Sequence, residues 1–156
     1  MWRKLSGERI ENDIVSEVEK IIISEKNNGH RLKICIGTDS QEVHGKFEFA
    51  TVIVFLRKRS GGFMLINNHT IPSPIGLKER MLLEVGKSID IAYKLCDVLD
   101  KHNVGLEVHA DINTDPKFKS NTALSDAMGY ILSMGYVFKA KPDAFASSSC
   151  ADRFVN

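Results

Sequence analysis

The stretch Leu32 to Gln41, LKICIGTDSQ, narrows the available folds more than any other part of this chain. Leu32, Ile34 and Ile36 alternate with Lys33, Cys35 and Gly37, the period of two that marks a strand. The pattern predicts that this strand closes on a glycine and delivers Asp39 at its end. A carboxylate at the end of a central strand suits a divalent cation, because the sheet fixes its position while the loop beyond leaves room for substrate. Asp39 and Ser40 also suit a simple turn, since both residue types bond their own backbone. What weighs towards the cation is that three more carboxylates occupy comparable positions further along.

Before the first strand, Ile10, Ile14, Val18, Ile21 and Ile22 recur near helical spacing among charged residues, predicting an amphipathic helix from Asp13 to Lys26. Asn27-Asn28-Gly29 ends it. After the first strand, Lys46 to Leu56 and Gly62 to Ile71 read as two more, separated by a charged, glycine-bearing turn and closed by Pro72-Ser73-Pro74. Three strands with short connections predict an antiparallel meander.

From Ile75 to about His102 the period becomes that of a long helix. Met81, Val85, Ile89, Ala92, Leu95 and Cys96 fall on one arc, with Lys87, Asp90, Lys94 and Asp97 opposite. Glu84 shares an edge of the apolar arc with Ser88, Ile91 and Leu95, whereas Glu79 lies with Asp90 and Asp97. A carboxylate aimed at a buried surface is costly unless paired or bound to metal. Glu84 is therefore either functional or a helix-edge residue whose head reaches water.

Val104 to Ala110 predicts a fourth strand that ends at Asp111 much as the first ends at Asp39. His109 on that strand reads as a metal ligand, a proton donor or a satisfied structural residue. Ser120 to Met134 follows as a helix with a stripe of Ala123, Leu124, Ala127, Met128 and Ile131. Tyr136 to Ala140 is a fifth strand, and Ala144 to Val155 a last helix that carries Asp152 among small residues.

Composition sets outer bounds. A chain of 156 residues with 43% hydrophobic and 26% charged content is expected to form one soluble domain, 1–156, with a substantial core. A formal charge of +1 provides no broad field for nucleic acid, so any such binding needs a local basic patch. Lys117, Lys119, Lys139 and Lys141 are candidates for it, or simply a solvated surface. No apolar run approaches the ~20 residues that span a membrane, and Met1-Trp2-Arg3-Lys4 leads into no signal-peptide core. A cytoplasmic location is expected. Cys35, Cys96 and Cys150 read as reduced, buried thiols, and without CxxC or paired His/Cys spacing no zinc site is expected.

The order is thus helix, three meander strands, long helix, strand, helix, strand, helix. Carboxylates fall at the end of the first strand, in the long helix, at the end of the fourth strand and in the last helix. In this order and in its acidic positions the chain resembles the ribonuclease H-like fold: an α/β architecture with a five-stranded mixed sheet, three strands in an antiparallel meander and two parallel, and helices on both faces. More narrowly, IGTDSQ, KERMLLEV, the aspartate of VHADINTDPK, and KPDAFASSSCADRF resemble the YkuK family of predicted ribonuclease H-related nucleases. The resemblance covers Leu32 to Val155 and leaves the leading helix, at about 13–26, as an addition.

The resemblance implies that Asp39, Glu84, Asp111 and Asp152 line a two-metal site for Mg2+ or Mn2+ and hydrolyse phosphodiesters of RNA or DNA. Asp39 would bridge both ions, Asp111 and Glu84 would complete one coordination sphere, and Asp152 the other. Four carboxylates suit hard cations. Two carboxylates ~4 Å apart repel by about 4 kcal/mol at an effective dielectric of 20, so a converging cluster needs a counter-charge. Asp143 rivals Asp152, and Glu79 rivals Glu84 if the helix phase is shifted. The histidine-bearing loop of classical ribonuclease H enzymes is replaced here by Lys141-Pro142-Asp143-Ala144-Phe145, which puts hybrid-specific cleavage in doubt. The competing class is an inert module of the same fold that binds nucleic acid or a protein partner. GTD also resembles phosphate loops of sugar and acetate kinases, but the chain is too short for their two lobes.

Overall fold

The computed structural model describes residues 1–110 and 122–139. Asp13 caps the first helix, α1 (Ile14–Asn27), by accepting from the Ser16 backbone N–H at 3.0 Å and the Ser16 hydroxyl at 2.7 Å. The predicted helix and its stripe are present, with Val18 and Ile22 fully buried.

Among the described residues a sheet of six strands, not the predicted five, forms the frame. The additional strand is β1 (Trp2–Lys4), which pairs antiparallel with β4 through Trp2–Asn67 and Lys4–Leu65. Three residues are too few to display a period, so only the pairing reveals it. The meander is as expected: β2 (Leu32–Val43), β3 (Lys46–Arg57) and β4 (Gly62–Ile71) pair antiparallel in sequence. His44 and Gly45 join β2 to β3 with φ of 53° and 76°. Two consecutive positive φ values twist a two-residue hairpin in the same sense as its strands.

The long helix α2 (Leu77–Lys101) leads to β5 (Gly105–His109), which lies parallel to β2. Helix α3 (Thr122–Ser133) then leads to β6 (Val137–Lys139), parallel to β5. The spatial order is β1-β4-β3-β2-β5-β6.

Strand alternation divides the core in two. Ile34, Ile36, Ile53, Phe55 and Leu65 pack with α1, with Val85, Ile89, Leu95 and Leu99 of α2, and with Ile131 of α3. Cys35, Ala50, Val52, Val54 and Ile66 form a smaller buried cluster. All three described helices serve the first core; the predicted helix 144–155, on which helices on both faces depended, lies outside the described residues. Ala123, expected in the α3 stripe, is exposed. No helix among the described residues is long and apolar enough to cross a membrane.

Leu95 is fully buried at the centre of the α2 contact. Leu95→Ala should cost ~2–5 kcal/mol, whereas Asp13→Ala, which removes only a cap, should cost ~1 kcal/mol. Urea unfolding of the two variants checks that ranking.

Candidate functional site

The site is organised by the two unequal edges of β2. On one side β2 pairs with β3 along its whole length, from Leu32–Arg57 to Val43–Lys46. On the other, its parallel ladder with β5 stops at Gly37–His109. Asp39 is therefore not at a strand end, as its flanking glycine suggested; it lies inside β2, paired with Ala50 and two residues past the last β5 pair. The hairpin to β3 holds the strand together beyond the glycine. Among the described residues one edge of β2 is thus open beside a half-buried carboxylate.

On the α2 side of β2, Thr38 and Ser40 meet the helix. The Thr38 hydroxyl lies 2.7 Å from that of Ser88 and 3.1 Å from that of Thr51. The Ser40 hydroxyl donates to Glu84 Oε1 and accepts from Arg80 Nε at 2.6 Å, and Arg80 Nη2 donates to the Ser40 carbonyl. Arg80 also lies 5.4 Å from the centre of the Phe47 ring. The predicted helix phase holds here: Glu84 is half-buried against the sheet and Glu79 is exposed. Glu84 is brought to Ser40, the residue next to Asp39 in sequence, while strand alternation turns the Asp39 side chain to the other face, with Cys35 and Ala50. From sequence Ser40 reads only as a turn residue with Asp39, and both lie inside β2 instead; Arg80 was not singled out, although it stands one helical turn before Glu84, a spacing that places two side chains on one face.

The opposite face carries a denser polar group. Register sets Cys35 beside Glu107, Gly37 beside His109, and His109 beside Lys139. Lys33 and Lys139 donate to Glu107 Oε1 at 3.1 and 2.9 Å. Oε2 of the same carboxylate lies 3.1 Å from His109 Nε2 and accepts from Cys35 Sγ at 3.5 Å. Burial alone pushes the Glu107 carboxyl up, but the hydrogen bonds from Lys139, His109 and Lys33 outweigh it and hold it at about 2. Burial lowers the His109 pKa against the pull of Glu107. Burial, reinforced by the Glu107 charge, pushes the Cys35 thiol up to about 12. His109, open to three readings from sequence, thus has a buried carboxylate partner. Lys139 is tied to that carboxylate as well, and Lys117, Lys119 and Lys141 lie outside the described residues.

Of the sequence-predicted ligands, Asp39 and Glu84 are described; Asp111, Asp152 and the rival Asp143 lie outside the described residues. The oxygen donors of Asp39 and Glu84 fit a hard cation. A cavity of about 480 Å3, lined by Lys20, Glu25, Arg57 and Phe63 among others, lies elsewhere. Arg57 pairs with Leu32, so that cavity is at the far end of β2 from Asp39.

The mixed sheet with this helix order defines an α/β fold of the ribonuclease H type, and the chain belongs to the ribonuclease H-like family, which matches residues 13–156. It is similar to the uncharacterized protein YkuK of Bacillus subtilis (strain 168), at 28% identity over 160 residues, covering 92% of this chain and 89% of that one. Among solved structures, RNase H1 from the halophilic archaeon Halobacterium salinarum NRC-1 covers 73% of this chain and 89% of its own, with 12% identity and a TM-score of 0.37. At the level of the family, the fold is of nuclease type.

The Glu107 network makes acid stability a test of this geometry. A carboxyl whose folded pKa is about 2 against an ordinary 4.5 contributes stability that is complete above 4.5 and is lost as pH falls through 2. From about pH 6 to about pH 3 this group alone should remove about 2 kcal/mol. The depressed His109 pKa acts in the same direction, because the unfolded chain takes up that proton first. Urea melts of wild type and Glu107→Gln at the two pH values should show the smaller loss in the variant.

Proposed function

We propose that this protein is a divalent-metal-dependent nuclease that hydrolyses phosphodiester bonds of RNA or DNA, with Asp39, Glu84, Asp111 and Asp152 as its metal-holding carboxylates. The observation that carries the reading is that β2 runs on past the end of its β5 ladder, holding Asp39 there on one face of the strand while α2 delivers Glu84 to the adjoining Ser40 on the other. Membership of the ribonuclease H-like family supports it. When bound, two Mg2+ or Mn2+ ions supply water activation and charge stabilisation at the leaving oxygen.

The chain's own residues have separable parts in this reading. Asp39 supplies a carboxylate from the rigid centre of the sheet. Glu84 supplies a second from the helix, and Ser40 fixes its orientation by donating to Oε1. Arg80 positions Ser40 through two hydrogen bonds, so it acts through that serine. Lys87, one turn beyond Glu84, rests 5.3 Å from the centre of the Phe49 ring, and burial lowers its pKa. It adds local positive charge for a phosphodiester, which the near-neutral chain as a whole does not provide.

Cleavage of labelled single strands, duplexes and RNA/DNA hybrids with Mg2+ or Mn2+, with and without EDTA, tests the proposal. Activity that survives EDTA, or none on any substrate, would sink it; binding without cleavage would favour the inert module. Asp39→Asn keeps shape and loses charge, and should lower the rate at least ~100-fold, given what even outer contacts at metal sites contribute. Glu84→Gln should fall comparably and Glu79→Gln hardly at all. Ser40→Ala should lose ~10-fold, the scale for removing a partner that orients a ligand.

Metal should also stabilise the fold. A cation that binds only the folded chain adds about 1.4 kcal/mol at ten times Kd, a rise in Tm of ~3–6 °C for a domain of this size. Sodium chloride at matched ionic strength should give no such rise, because screening lacks coordination. Asp39→Asn should respond less to metal than wild type, and an identical response would remove Asp39 from the ligand set.

A further inference from the structure

The carboxylates do not exhaust the metal-ligating groups. We propose that Cys35, Glu107 and His109 form a second cation site, selective for a borderline-soft ion of the zinc class and distinct from the oxygen ligands assigned to Mg2+ or Mn2+. Their ligand atoms all lie within 4.8 Å of one another, and all three residues are buried.

The geometry is that of a nearly assembled site. Glu107 Oε2 lies 3.5 Å from Cys35 Sγ and 3.1 Å from His109 Nε2. Ligand atoms at ~2.0–2.3 Å from a tetrahedral zinc lie ~3.3–3.8 Å from each other, so these two spacings need to change by only a few tenths of an ångström, and the sulfur and imidazole, within 4.8 Å of each other, need to close by about 1 Å at most. Sulfur, imidazole nitrogen and one carboxylate oxygen are a zinc-type donor set, and hard cations avoid the sulfur. Three protein ligands stand among the described residues, one short of the tetrahedral set.

The remaining oxygen supports this division of labour. Oε1 is held by Lys33 and Lys139, which fixes the plane of the carboxylate and leaves Oε2 turned towards sulfur and imidazole. Both ammonium groups are nearly half exposed, at 47% and 42%, where water weakens their repulsion of a cation. Binding replaces the Cys35 S–H and His109 Nε2–H bonds by bonds to the metal: the thiol proton leaves to solvent, and the neutral imidazole carries its one proton on Nδ1 instead. The ion would pin β2 to β5 between the middle pair of their ladder, Cys35–Glu107, and His109 of its last pair.

Cobalt(II) reports this chemistry, because thiolate ligation produces a near-ultraviolet charge-transfer band that oxygen ligands do not. Titration of the EDTA-stripped full chain with Co2+ should give a saturable band that Zn2+ abolishes and Mg2+ leaves unchanged. Cys35→Ser should abolish the band, Cys96→Ala and Cys150→Ala should keep it, and His109→Gln should weaken binding at least ~10-fold. Asp39→Asn, which removes the ligand central to the nuclease reading, should keep the band, so the two proposals fail separately. Zinc-edge X-ray absorption of the wild type supplies a readout that does not depend on variants folding, and should find one sulfur neighbour at ~2.3 Å. Absence of the band at saturating Co2+, a band that survives Cys35→Ser, or a zinc shell of oxygen and nitrogen alone would overturn the site.

Discussion

The unequal pairing of β2 governs the rest of the molecule. Its antiparallel ladder with β3 is complete, whereas its parallel ladder with β5 ends at Gly37–His109. A strand tied on both edges is rigid and closed, and one tied on a single edge is rigid but reachable. Among the described residues, Asp39 lies where the first condition gives way to the second. The proposed metal chemistry would use this combination, ligands held in place without being sealed off.

The same strand sorts polar groups to two faces. Thr38 and Ser40 turn to α2, where hydroxyl contacts continue through Thr51 and Ser88 and a carboxylate arrives from Glu84. Cys35 turns to the other face, where Glu107 takes hydrogen bonds from both neighbouring strands, from Lys33 and from Lys139. A buried carboxylate survives only when its lone pairs are met, and Glu107 meets this condition with donors on both oxygens. At the far end of β2, Arg57 forms a two-pronged bond to Glu25 of α1 at 2.7 and 2.9 Å, which ties the leading helix to the meander. That bond holds the Glu25 carboxyl below its ordinary range.

Much of this was legible in the chain itself. The alternation of Leu32, Ile34 and Ile36, the end of α1 at Asn27-Asn28-Gly29 and the helical period from Val85 to Leu99 are local properties of the sequence. The phase of α2 also separated Glu84 from Glu79, because a rotation of ~100° per residue leaves little freedom over five residues. Resemblance to the ribonuclease H-like family rested on the order of such elements and their acids, and the match over 13–156 agrees with it.

What sequence left undecided depends on pairing between distant residues. Strand β1 exists only because Trp2 meets Asn67, and the continuation of β2 through Asp39 to Val43 only because β3 returns beside it. The Cys35, Glu107 and His109 group has no spacing to betray it, since its members come from strands 72 residues apart in the case of Cys35 and Glu107. Local periodicity by itself determined the elements and the face each side chain takes. Tertiary structure alone decided which faces meet, because strand register is set by hydrogen bonds to a neighbour that may lie anywhere along the chain.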